Sequence, residues 1–166
     1  MKAISIILVL FLCTWAYGQK VSHIKMQSTT KPIIKTEING KTAYFLIDTG
    51  SSMTIINSSK LEKYDLETLK FTSRRKAVGF NGNREWMLKV TNAEMRLDGQ
   101  FSYDDFYSMN LDLIAQSILK ETNIKITGII GTDLLRKHHC IINYNQRRLT
   151  IADRKSFKKF VTLSYE

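Results

Sequence analysis

Proline occurs once in 166 residues, glycine eight times and cysteine twice. So little of what keeps a chain open excludes long linkers and low-complexity segments, and neither an internal repeat nor a second domain is visible. The length suits one domain whose core folds without staples. The shortage of cysteine excludes two further classes. Cys13 lies in an apolar leader, which leaves Cys140 alone, and a lone thiol builds no internal disulfide scaffold. Cys140 opens the apolar run "CIINY" and reads as a small core residue. His23, His138 and His139 show no metal-ligand spacing with it. His138 and His139 are adjacent, and neighbours on a strand face opposite ways, so neither a metal nor another cofactor is expected.

What is present begins with the leader. Lys2 precedes an apolar run from Ala3 to Trp15, followed by the small-residue pattern Ala16-Tyr17-Gly18. Residues 1–18 therefore read as a secretory signal peptide cleaved after Gly18, with a periplasmic or secreted destination. An uncleaved anchor is the other reading, but the run is too short to span hydrocarbon comfortably. Lipid attachment at Cys13 is disfavoured by the bulky Leu12 before it. No later segment is apolar enough to cross a membrane, so no stable span is expected after cleavage.

The formal charge is +10, spread over "KTEINGK", "SRRK", "NQRR" and "DRKSFKK". This excess suits a basic solvated surface or an anionic envelope component. It lacks the aromatic-interleaved basic stripe or helix-turn-helix pattern that would point to nucleic acid.

Residues 19–31 are polar and read as an N-terminal arm. After Pro32 the pattern turns β-like. "PIIKTEI" and "KTAYFLID" flank Asn39-Gly40, a hairpin signal because both residues accept the positive φ of a type I′ turn. "MTIIN" predicts a strand, and "SSKLEKYDL" a short helix capped on Ser58 or Ser59. "LKFTSRRKAVGF" and "REWMLKVTNAEMRL" form a second hairpin around Gly82, and "FSYDDFYSMNL" one further strand ending near Met109. "DLIAQSILKET" is helical, "IKITGIIG" a buried strand, "TDLLRKH" a helix capped by Thr132, and "CIINYNQRRLTIA" a third hairpin. Many short strands with two or three short helices predict a mostly-β domain, closed or sandwiched.

One carboxylate interrupts the apolar run "FLIDTGSSMTII". Asp48-Thr49-Gly50 makes an ordinary turn, since Asp and Gly are turn residues. It also suits a reagent, because the preceding strand fixes the backbone and Gly50 admits close backbone approach to the carboxylate. In "ITGIIGTDLL", the branched Ile129 and Ile130 before Gly131 describe a strand that packs against this turn and leaves through a glycine bend.

"YFLIDTGSSMTII", followed by "GIIGTDLLRKHHCIINYNQRRLTI", resembles the retropepsin-like aspartic proteases, especially their bacterial single-domain members. The hairpin "PIIKTEINGKTAYFLIDTG" shares the family's opening arrangement, and the likeness runs from about Lys31 to Asp153. It implies a single-lobed, closed retropepsin-like β-barrel over residues 32–153; residues 154–166, beyond that likeness, read as a strand-like tail. On matching positions, Asp48 would be the catalytic aspartate. Thr49 would clasp two active-site turns together, Gly50 would allow the tight loop, and Ser51 would hydrogen-bond the outer carboxylate oxygen. Gly79, Phe80, Asn81 and Gly82 would form the flap over substrate, and Ile129, Ile130 and Gly131 would support the site. The family often carries an acid where this chain has Asn143, a structural position.

The implied chemistry needs two carboxylates sharing one proton, and aspartic proteases are the standing example of such coupled acids. Only one Asp-Thr-Gly is present. Asp133 sits where a carboxylate meets a helix N-terminus, and Asp104 and Asp105 lie in a polar stretch without a glycine loop. A symmetric homodimer, one Asp48 from each chain, is the remaining solution. The arm 19–31 and the tail Lys159–Glu166 are expected to add an intersubunit sheet. The reading is an aspartic endopeptidase whose partners are a peptide or protein substrate and a second copy of itself. The alternatives are a peptide-binding or regulatory module on the same fold without catalysis, and a basic protein that holds an anionic envelope component.

Overall fold

The computed structural model describes residues 21–69, 75–78 and 84–163. The leader 1–18, Cys13 and the flap residues Gly79–Gly82 lie outside the described residues.

The chain folds mostly as β-structure. Its strands are β1 (Val21–Lys25), β2 (Ile33–Ile38), β3 (Lys41–Ile47), β4 (Ile55–Asn57), β5 (Arg75–Val78) and β6 (Arg84–Lys89), then β7 (Met95–Leu97), β8 (Phe101–Tyr103), β9 (Tyr107–Met109), β10 (Gly128–Ile130), β11 (Ile141–Asn143) and β12 (Arg148–Ala152). Three helices accompany them among the described residues: α1 (Asp112–Thr122), α2 (Thr132–Lys137) and α3 (Arg154–Leu163).

Nine strands form one sheet in the order β5-β6-β9-β4-β10-β3-β2-β7-β8. Strands β8 and β9 are consecutive in the chain yet six steps apart in that order. Laid flat, six steps would separate them by about 29 Å. The link through Asp104, Asp105 and Phe106 reaches at most about 14 Å. The sheet must therefore curl, as a half-barrel does, and the interior of the curl is filled. Phe106 is fully buried there and meets Tyr103 edge-on at 5.1 Å. This link is also why the predicted single strand "FSYDDFYSMNL" is two strands.

The β2–β3 hairpin turns as its sequence requires, with φ of 48° at Asn39 and 75° at Gly40. Alternation along β3 sends Ala43, Phe45 and Ile47 into the main core. Tyr44 and Leu46 face the other way, against Ile33 and the α1 residues Ala115 and Ile118. Covered on both faces, β3 is a rigid support for whatever follows Ile47.

Four expectations are corrected. The arm 19–31 holds β1, which pairs antiparallel with β12 from Val21↔Ala152 to Lys25↔Arg148 and joins β11 in a second, three-stranded sheet. The tail expected as strand-like is α3 over Arg154–Leu163. Its first turn is capped by Asp153, whose Oδ1 accepts the Ser156 amide at 2.7 Å, and apolar Phe157, Phe160 and Val161 recur at helical spacing. β1 is an edge strand of the three-stranded sheet, and the described part of the tail is helical. "SSKLEKYDL" makes two single 3₁₀ turns, Ser58–Lys60 and Glu62–Tyr64, and the cap is Asn57, not a serine. Gly131, not Thr132, occupies the cap position of α2 and makes no side-chain cap bond.

No helix among the described residues is long and apolar enough to cross a membrane.

Candidate active site

Strand β10 lies between β3 and β4, parallel to the first and antiparallel to the second. That arrangement brings the exit of β3, the exit of β10 and the entry of β4 to one edge of the sheet. Asp48, Gly131 and Met53 therefore meet, although Asp48 and Gly131 are far apart in the chain.

The Asp48 amide donates to the Ile130 carbonyl at 3.0 Å, which extends the β3–β10 pairing by one residue. The Gly50 amide donates to Asp48 Oδ1 at 2.9 Å, and the Ser51 amide to the Asp48 carbonyl at 3.2 Å. A backbone loop thus orients the half-buried carboxylate. Gly50 eases this approach, since a Cβ there would crowd Asp48 Oδ1 at 3.2 Å. The expected Ser51 hydroxyl bond to the carboxylate is not made. Ser51 Oγ instead donates to the Met53 carbonyl at 2.7 Å and closes the turn into β4. Thr49 is exposed, and its hydroxyl makes no hydrogen bond among the described residues.

Gly131 is fixed by crowding. A Cβ there would lie 2.4 Å from the carbonyl carbon and oxygen of Met53, backbone atoms that cannot rotate away. Ile129 and Ile130 are buried on opposite faces of β10, one in each of two core clusters. The Thr132 amide donates to the Ser51 carbonyl at 2.8 Å, so the two loops are also tied directly.

Below the loops lies a network that sequence reasoning missed. Thr54 is fully buried. Its hydroxyl donates to Asp133 Oδ1 at 2.7 Å and accepts the Gly131 amide at 3.1 Å, while its own amide donates to Asp133 Oδ2 at 2.8 Å. Tyr103 Oη donates to the same Oδ2 at 2.7 Å. Burial first, then the bond to Asp133 and its charge, push the Tyr103 phenol well above its ordinary pKa and keep it a donor. Asp133 is thus a structural acceptor with both oxygens engaged, which adds a second reason to the helix-dipole argument against it as a reagent. The only signal for this network was a threonine placed directly before a buried strand.

The other acids once weighed are also occupied. Asp104 pairs with Lys137 at 3.5 Å, and Asp105 with Lys89. No group of three or more His, Cys, Asp or Glu residues able to hold a metal occurs among the described residues. Cys140 is free and packs against the main core; burial pushes its thiol pKa up to about 12.

A single curled lobe with an Asp-Thr-Gly loop clamped against a glycine-bend strand defines the retropepsin-like class. A family model described as aspartyl protease matches residues 34–134, and the chain belongs to that family. Protein DDI1 homolog 1 of Rattus norvegicus is 27% identical over 131 residues, 77% of this chain. The Mus musculus protein of the same name is 27% identical over 133 residues. The chain spans 28% of the length of these curated relatives. A retropepsin-like aspartic protease from Rickettsia conorii shares the fold, with a TM-score of 0.51 at 15% identity over 81% of this chain and 92% of that one.

Proposed function

We propose that the chain is an aspartic endopeptidase in which Asp48 supplies half of a catalytic dyad and a second copy of the chain supplies the other half. The observation that carries this reading is the state of Asp48. Its carboxylate is oriented by the Gly50 amide at the open edge of the sheet, while Asp133, Asp104 and Asp105 are each engaged elsewhere. Across a two-fold axis, two Asp48 carboxylates share one proton, because like charges in contact cannot both ionise. The ionised member draws a proton from water as that water attacks the peptide carbonyl. The protonated member donates to the carbonyl oxygen, and proton return to the amine releases the product.

Exposed Thr49 supplies the clasp to the partner's loop in this reading. Substrate lies extended between sheet and flap, bonded through its main chain as an added strand. The flap at Gly79–Gly82 and export directed by residues 1–18 to a periplasmic or secreted location belong to the same proposal.

A mixing experiment tests both halves at once. Wild-type protein is expected to cleave members of a diverse peptide library, and Asp48→Asn to be inert while keeping its fold and its mass in solution. A threefold excess of Asp48→Asn, equilibrated with wild type, is expected to leave about a quarter of the wild-type chains in active pairs. Full activity in that mixture, or cleavage by a protein that remains monomeric, overturns the dyad.

A further inference from the structure

On the side of the sheet opposite the loop edge, an open concavity of about 520 Å³ is lined by Lys60, Lys63 and Lys125, with Tyr44, Ile124 and Ile126 among its apolar walls. Tyr44 precedes Asp48 by four residues along β3, roughly 13 Å at strand spacing, so this is a separate place. No carboxylate lines it.

Four lysines elsewhere are paired with acids, Lys31 with Glu121, Lys41 with Asp65, Lys89 with Asp105 and Lys137 with Asp104, whereas here three unpaired lysines converge on one concavity. Lys60, Lys63 and Lys125 form no ion pair among the described residues. The Lys63 amine donates to Tyr64 Oη at 3.1 Å, and Tyr64 is itself fully buried and tied to the Thr42 carbonyl and Thr127 hydroxyl. One wall is therefore rigid. Burial, then the charge and contact of Lys125, hold the Lys60 amine below its ordinary pKa, against the opposing pull of Asp112. The Asp112 Oδ1 already accepts from Asn57 and Ser59. The C-terminal end of α1 adds about half a negative charge, a fraction of three ammonium groups.

We infer that this concavity is a binding site for a phosphate monoester, its phosphoryl group among Lys60, Lys63 and Lys125 and its apolar or aromatic body against Tyr44, Ile124 and Ile126. The charge balance selects the ligand class. Three cations against the one carboxylate of Asp112 leave about two positive charges, which match the dianion of a monoester better than a carboxylate. Lysine binds phosphate as a point charge, without the planar fork that a carboxylate exploits on arginine. A bare phosphate would leave the partly exposed Tyr44 and Ile124 wet, and the volume lies in the range of small-molecule sites. The site stands independently of peptidase activity.

The test is calorimetric titration of the full chain at physiological salt with phenyl phosphate, inorganic phosphate and phosphatidic acid vesicles. Phenyl phosphate is expected to saturate one site per chain, at least tenfold tighter than inorganic phosphate. Lys60→Gln with Lys125→Gln is expected to abolish this binding while thermal stability without ligand stays equal or rises, because two like charges in contact are removed. Lys155→Gln, on α3 and not among the lining residues, should bind as wild type. If vesicles also bind and lose binding in the double variant, the phosphate comes from a lipid headgroup; if only phenyl phosphate binds, it comes from a soluble ester. Equal affinity for phenyl and inorganic phosphate, or unchanged binding in the double variant, overturns the inference.

Discussion

Replacing Thr54 by valine changes one hydroxyl to a methyl group at almost constant volume, so no cavity opens. What is lost is specific: the bond to Asp133 Oδ1 and the acceptor for the Gly131 amide. A hydrogen bond to a charged group is worth about 1.5–3 kcal/mol, and a buried amide left without an acceptor costs about 1–3 kcal/mol. The methyl group recovers part of this through burial, about 0.8 kcal/mol. The net expectation is a loss of about 2–5 kcal/mol, or roughly 4–20 °C in melting temperature for a chain of this size. Urea unfolding followed by tryptophan fluorescence measures it, with a lower midpoint at unchanged slope. The Gly131 amide also shares a loop with the backbone that faces Asp48, so peptide cleavage is expected to fall even where the variant is fully folded. A midpoint within about 0.5 kcal/mol of wild type would show that the hydroxyl does not hold the two loops together.

Gly131→Ala should cost more than Gly40→Ala, for different reasons. The first drives a Cβ into the Met53 backbone, an overpacking cost of about 1–3 kcal/mol or more, whereas the second meets open space and pays only for its positive φ, about 1 kcal/mol. Parallel urea titrations rank them, and equal midpoints would refute the crowding argument. Cys140 should react with iodoacetamide at pH 8 at least tenfold more slowly than free cysteine, since its raised pKa keeps it a thiol. Rapid alkylation in the folded state would contradict its burial. The His138 imidazole is held below its ordinary pKa by burial, then by Lys137. Its unfolded form therefore binds the proton first. The stability it contributes is present above about pH 6.5 and is lost as pH falls from there toward the lower folded value. A stability–pH profile of His138→Phe should lack that decline; an unchanged profile would assign the slope to other groups.

Features carried by adjacent residues were the legible ones. Asn39-Gly40 fixes its hairpin through two local φ values, and the Asp48 loop is a short run whose partner strand is marked by Gly131. Features that depend on distant partners were not legible. Nothing in "VSHIK" says that it pairs with "RLTIA", more than a hundred residues on. Alternation and helical spacing compete in "SFKKFVTL", and the cap at Asp153 decides between them. Asp133 looked like a helix-end carboxylate until Thr54 and Tyr103 were brought to it by the curl of the sheet. The Ser51 hydroxyl donates to the Met53 carbonyl, an acceptor that the turn into β4 supplies and the local sequence does not announce.

The place of β10 between β3 and β4 has a consequence in time as well as space. The two strands that flank the Asp48 loop are made early, yet they never pair with each other. They must wait, with inner edges unfilled, until the segment at Gly128–Ile130 arrives from far down the chain. Such non-local pairing is slow and leaves strand edges open to other chains while it is incomplete. A nascent chain that ends before Gly128 is thus the most aggregation-prone form of this protein, and it is also a form in which the Ile130 carbonyl is not there to anchor Asp48.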